Sequence, residues 1–120
     1  MSGSNRDRDI VEHILRYCEQ VETAHEDFGY SRVRFDRSTT YQNAVSMCIL
    51  QIGELVNHLT DDFKSVHSQI PWRKIRGMRN YVAHEYGSID RDVVWFAATE
   101  SIVELKSFCV DCLRTMDGKE

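Results

Sequence analysis

Between Tyr41 and Leu59, apolar side chains stand at Tyr41, Ala44, Val45, Cys48, Ile49, Ile52, Leu55, Val56 and Leu59, in successive steps of one or three residues. This spacing keeps one side of a 3.6-residue helix apolar for about five turns, and it does not fit the two-residue alternation of a half-buried strand. Such a stripe has to be covered by other elements, and the chain supplies three more of the same kind. Ile10, Ile14, Cys18, Val21, Ala24 and Phe28 mark a helix over residues 7–28. Ile75, Met78 and Val82 mark a third, and a fourth runs from Val93 and Val94 through Ala97, Ala98, Ile102, Leu105, Cys109 and Cys112 to Met116. Four main amphipathic helices, three of them long, predict an all-α, up-and-down helical bundle.

The punctuation agrees with this division. Gly29 closes the first helix, and residues 30–36 read as a connector whose brief alternation is too short for a strand. Asp36 or Ser38 can cap the second helix, which ends near Thr60-Asp61-Asp62. The stretch up to Gln69 reads as a loop or a short helical turn around Phe63 and Val66. Pro71, the single proline, suits the first position of the third helix, where its fixed φ and missing N–H do no harm. Gly87-Ser88 ends that helix, and Ser88 or Asp90 begins the next. The 120 residues fit one domain, with residues 1–6 and 117–120 expected as loose ends.

Composition then narrows function. An apolar share of 42% with 28% charged residues is that of a globular protein, and a formal charge of −4 excludes nucleic-acid binding through a broad basic surface. Any contact with phosphate has to be local, and one basic cluster exists: Arg73, Lys74, Arg76 and Arg79. With no long apolar run and no leader-like start, a cytoplasmic location is expected. Cys18, Cys48, Cys109 and Cys112 are then expected to be reduced. Cys109-x-x-Cys112 lies on an apolar stripe with no turn between the thiols, which favours core packing over redox or zinc chemistry. His13, His25, His58 and His67 show no metal-ligand spacing and read as surface or boundary residues, so no metal site is expected. Trp72 and Trp95 read as packing anchors rather than base-stacking platforms.

The third helix carries the run Arg79-Asn80-Tyr81-Val82-Ala83-His84-Glu85-Tyr86. An arginine followed by a polar residue, a histidine five residues on and a tyrosine two residues later resembles the signature of the HEPN superfamily, and within it the HepT branch. Ile70-Pro71-Trp72-Arg73-Lys74-Ile75-Arg76-Gly77-Met78, Ile52-Gly53-Glu54 and Val93-Val94-Trp95 are similar to that family too, so the likeness spans residues 41–105. The resemblance implies a homodimeric, metal-independent endoribonuclease of a toxin–antitoxin pair, with Arg79 and His84 of both protomers in an interfacial cleft. It also implies an MntA-like nucleotidyltransferase antitoxin that spends ATP to transfer AMP to Tyr86, the chain itself needing no cofactor. Glu85 departs from the neutral residue expected there and sets a carboxylate beside His84.

The side-chain chemistry leads to the same roles. Histidine's ordinary pKa near 6.5 lets it exchange a proton with a ribose 2′-hydroxyl or a departing 5′-oxygen. Arginine stays charged and fits a phosphate with two parallel hydrogen bonds. Asn80 and Glu54 are candidates for orienting these groups, and Arg73, Lys74 and Arg76 are candidates for holding substrate. Five residues along a regular helix, however, turn two side chains about 140° apart. Arg79, Ala83 and Tyr86 share one face, and His84 joins them only if the helix loosens or a second copy brings it in. A competing reading is a non-catalytic helical partner that presents nucleotide or substrate to a nucleotidyltransferase; cleavage of RNA by the purified protein separates the two.

Overall fold

The computed structural model describes residues 2–118, the side chains of residues 2–4 and of Tyr86 excepted, and every regular element within them is helical. Helix α1 is Ser2–Asp27, α2 Arg32–Arg37, α3 Thr39–Asn57, α4 Asp61–Val66, α5 Trp72–Glu85, α6 Arg91–Phe96 and α7 Ile102–Met116. A 3₁₀ turn, Tyr86–Ser88, follows α5, and a π turn, Ala97–Ser101, joins α6 to α7 in one continuous rod. The fold is the expected helical bundle, in which the four main elements are α1, α3, α5 and the α6–α7 rod.

Helix α1 packs against both α3 and α7, and the core lies between these three. Ile14, Cys18 and Val21 from α1 meet Val45, Ile49 and Ile52 from α3 and Ile102, Leu105 and Cys109 from α7, all of them buried. Helix α5 is attached from outside, mainly along α3, and Val82 is its one buried residue. Trp72, Ile75, Met78 and Tyr81 are half-buried against the same core, and the opposite side of α5, with Arg73, Arg76, Asn80 and His84, stands in solvent.

Several local signals do what their chemistry suggests. Ser38 Oγ accepts from the Tyr41 N–H at 3.1 Å and starts α3, and Asp90 accepts from the Asp92 N–H at 2.8 Å and starts α6. Gly29, at φ +68°, closes α1 with a Tyr30 N–H···His25 O=C bond of 2.7 Å, the long-range half of a Schellman turn. Thr60 caps α4 through its hydroxyl, and buried Asp7 accepts from both the Thr60 N–H (2.9 Å) and its Oγ1–H (2.7 Å), tying α1 to the α4 start.

Four features differ from the sequence reading. Helix α1 begins at Ser2, five residues before the apolar stripe calls for it. The connector after α1 holds the short helix α2, whose N-terminus is capped by Ser31 accepting from Arg34 N–H at 3.1 Å; its Val33/Phe35 alternation buries Phe35 and leaves Val33 exposed. Pro71 precedes α5 by one residue, and its carbonyl accepts the Ile75 N–H. His25, read as a surface or boundary residue, is only 2% exposed. It continues the α1 stripe of Ile14, Cys18 and Val21, and a core site for an imidazole requires both ring nitrogens to find partners. Nε2 lies 3.0 Å from the Ala98 carbonyl in the π turn and Nδ1 meets the Tyr41 hydroxyl, so the neutral Nε2–H tautomer donates to the first and accepts from the second. Tyr30, in the left-handed region at φ +55°, stacks on the same ring at 4.6 Å, and Trp95 meets it edge-on.

All four cysteines are buried and unpaired. Burial pushes the Cys18 thiol up to about 12 and the Cys48 thiol up to about 11, and raises those of Cys109 and Cys112 as well. A thiol whose pKa is raised by folding stabilises the fold fully below its unfolded value, and that contribution is lost as pH climbs toward the folded value. Two outcomes are expected. A thiol-specific disulfide reagent at pH 8 labels the native protein far more slowly than the urea-unfolded chain, and the melting temperature falls between pH 9 and 11; rapid labelling of the folded protein contradicts the burial argument.

Candidate active site

The site is built where α3 and α5 touch. Gly53 sits in the buried side of α3, and a Cβ placed on it would stand 2.1 Å from Arg79 Cβ and 2.9 Å from Arg79 Cγ. Glycine in a helix interior costs about 1 kcal/mol relative to alanine. Here it admits the stem of Arg79, so that the α5 backbone passes directly over α3. The next residue, Glu54, then lies beside the guanidinium and accepts a hydrogen bond from Arg79 Nε, while Arg79 Nη1 donates to Asn80 Oδ1 at 3.2 Å. The ion pair is partly open to solvent, with side chains 32% and 40% exposed, and partly exposed pairs contribute no more than about 1 kcal/mol to stability. Its value is orientation: one edge of the guanidinium is held by Glu54, and Nη2 makes no bond to the described residues.

His84 is elsewhere. Helix α5 stays α-helical through Glu85, so the turn of about 140° and the rise of about 7.5 Å between Arg79 and His84 both hold within one chain. The His84 side chain is exposed and makes no hydrogen bond or ion pair among the described residues. The helix tightens only afterwards, at Tyr86–Ser88, where Ser88 Oγ donates to Glu85 at 3.3 Å. The carboxylate of Glu85 is thus engaged at the turn. Tyr81, half-buried, accepts the Asp90 N–H at 2.5 Å on its hydroxyl and fastens the end of α5 to the start of α6. The side chain of Tyr86 lies outside the described residues.

Of the other sequence candidates, Arg73 and Arg76 stand together on the outward side of α5, and Lys74 does not join them. Lys74 lines a groove of about 540 Å³ on the opposite flank, between α5 and the α6–α7 rod. Gly77, Met78, Val93, Phe96 and Ala97 complete its apolar walls, and Phe96 is 63% exposed. Trp72 and Trp95 both serve packing: Trp72 Nε1–H donates to the His67 carbonyl at 3.0 Å, and Trp95 lies among His25, Phe35 and Tyr41. Among the described residues, no three His, Cys, Asp or Glu side chains gather as a metal site would require, and no helix is long and apolar enough to cross a membrane.

A family model for HepT-like ribonucleases matches residues 9–111, a span that holds α3, α5 and every residue of the site. The chain belongs to the HepT-like ribonuclease family. Among curated relatives, a protein of Caldanaerobacter subterraneus subsp. tengcongensis provisionally named an RNase is 33% identical over 100 residues, covering 82% of this chain and 87% of the relative. A provisionally named ribonuclease HepT of Thermococcus cleftensis is 31% identical over 99 residues, covering 82% and 88%. A protein of Methanocaldococcus jannaschii, also provisionally an RNase, is 27% identical over 107 residues, covering 89% and 87%. No solved structure matches the chain. Membership of a HepT-like ribonuclease family makes RNA cleavage the activity that a site in this chain has to account for.

In this HepT-like chain the close approach at Gly53 is the feature on which the guanidinium's position rests. Gly53→Ala is expected to cost about 1–3 kcal/mol, because a methyl group is forced against the Arg79 stem in a packed helix contact. Urea unfolding measures this, and a variant as stable as the parent would mean that the approach is looser than the geometry states.

Proposed function

We propose that this chain is the toxin of a toxin–antitoxin pair, a metal-independent endoribonuclease that acts as a homodimer and is silenced by AMP transfer to Tyr86. The observation that carries the reading is the family match across the whole site, together with an arginine oriented by Glu54 and a histidine left free on the same helix. In the reaction the ribose 2′-oxygen bonds to its neighbouring phosphorus as His84 of one protomer takes the 2′-hydroxyl proton. The bond from phosphorus to the 5′-oxygen breaks, that oxygen takes its proton from water, and the arginine facing the reacting phosphate is Arg79 of the other protomer. The products are a 2′,3′-cyclic phosphate and a 5′-hydroxyl end. Arg79 donates to the phosphoryl oxygens and offsets the charge that grows on them. No step requires a metal ion.

The helical angle between Arg79 and His84 is the reason for two copies, since an isologous pair brings two α5 helices together about a two-fold axis. The apolar groove beside α5 is the surface we assign to that pairing. Exposed Phe96 and Val93 at its rim are better covered by a second copy than by water. For silencing, the Tyr86 hydroxyl attacks the α-phosphorus of ATP on the nucleotidyltransferase, pyrophosphate leaves and the phenolic proton passes to solvent. The new phosphodiester brings a negative charge to the segment that binds RNA phosphate.

His84→Ala is expected to reduce RNA cleavage by about 10²–10⁴-fold. Arg79→Ala is expected to be similarly impaired, and a mixture of the two variants allowed to exchange subunits recovers about a quarter of the parent activity, because each mixed dimer retains one intact composite site. No recovery from demonstrably mixed dimers rules out sharing across the interface, and intact RNA from a verified parent dimer favours the non-catalytic partner role instead.

For the modification, incubation with the cognate nucleotidyltransferase and ATP raises the mass of the parent by one AMP and stops cleavage. The Tyr86→Phe variant stays unmodified and active. Equal modification of that variant removes Tyr86 as the acceptor.

A further inference from the structure

Where α3 ends, α4 lies and α5 begins, a pocket of about 210 Å³ is lined by Val56, Asn57, Lys64, Trp72, Arg73 and Arg76. Three of the six linings are cations drawn from two helices. Arg73 and Arg76 have no acidic partner among the described residues, and Lys64 Nζ is 4.0 Å from Asp61, whose carboxylate is fully exposed. Glu54, the nearest acid on α3 by sequence, is taken by Arg79. The rest of the wall offers these cations little: Val56 is buried and apolar, and the Trp72 indole N–H is committed to the His67 carbonyl. Three like charges gathered in so small a space repel one another unless an anion sits among them. In a chain of net charge −4 the grouping is a local exception.

We propose that Lys64, Arg73 and Arg76 form a second anion site, which binds a backbone phosphate of single-stranded RNA a few nucleotides from the bond that is cut. The inference rests on the ribonuclease reading above. Position favours a substrate phosphate over a free small anion. Arg73 and His84 are eleven residues apart and project within about 20° of one another on α5, and Arg76 and His84 are about 12 Å apart along its axis. A strand lying along that outward side meets both. The pocket is also open at its rim, and guanidinium forks suit non-bridging phosphate oxygens.

The test is the salt dependence of RNA affinity, read by fluorescence anisotropy of a labelled oligouridine in the uncut His84→Ala background. Each phosphate contact on a single strand contributes about 0.7 to the slope of log K against log salt. Arg73→Gln/Arg76→Gln is expected to lower that slope by about 0.7–1.4 and to weaken binding on the order of tenfold at low salt. Arg73→Lys/Arg76→Lys keeps the slope, and Arg34→Gln/Arg37→Gln on α2, with the same loss of charge, leaves it unmoved. If circular dichroism shows the glutamine pair unfolded, Lys64→Gln is read by the same criterion. Equal slopes for the α5 and α2 glutamine pairs overturn the site while cleavage by the parent still supports the ribonuclease reading. A parent chain that neither binds nor cuts RNA overturns both.

Discussion

The close passage of α5 over α3 at Gly53 is the constraint on which the site depends. It fixes the depth of α5, because any side chain at position 53 would meet the Arg79 stem. It also fixes what Arg79 can do, because at that depth the guanidinium lies beside Glu54 and its rotamer is set by that carboxylate and Asn80. The steric term outweighs the electrostatic one. A half-exposed ion pair contributes no more than about 1 kcal/mol, whereas forcing methylene on methylene in a packed contact costs about 1–3 kcal/mol. The ion pair orients an arginine that the glycine has already admitted.

Packed through Val82, the half-buried Trp72, Ile75, Met78 and Tyr81, and this contact, α5 presents an outer ridge whose two flanks have opposite character. One flank opens on the basic pocket of Lys64, Arg73 and Arg76, the other on the apolar groove of Met78, Val93 and Phe96. The outward side between them carries His84. Such a division suits the roles proposed for α5, RNA on one flank and a second copy of the chain on the other. It also reconciles an acidic chain with an anionic substrate, since the positive field need extend no further than this ridge.

Most of the helices were legible before any coordinates. The stripe of α3 and its Ser38 cap, Gly29 after α1 and Asp90 before α6 are local signals whose physics does not depend on neighbours. The exceptions have local causes as well. A six-residue helix such as α2 is too short to show a stripe, so its Ser31 cap was the available signal against a connector. The π turn at Ala97–Ser101 adds a residue to one turn of the rod, and no side-chain pattern marks it, since adjacent buried pairs such as Ala97 and Ala98 also occur in the regular helices α1 and α3. His25 falls at the next core position of the α1 stripe, yet an imidazole there is tolerable only because the Tyr41 hydroxyl and the Ala98 carbonyl, from two other elements, satisfy both nitrogens.

The sequence by itself determined the helical class, the caps and stops at Gly29, Ser38 and Asp90, the family signature and the 140° that separates Arg79 from His84, since all of these follow from the periodicity and short-range chemistry of one chain segment. Only the tertiary structure decided that Gly53 receives Arg79, that Glu54 holds it, and that Lys74 parts company with Arg73 and Arg76 while Lys64, nine residues before Arg73, joins them. Those facts depend on the distance and rotation between packed helices. Sequence spacing gives the direction of each side chain around its own axis, and only packing says what stands opposite.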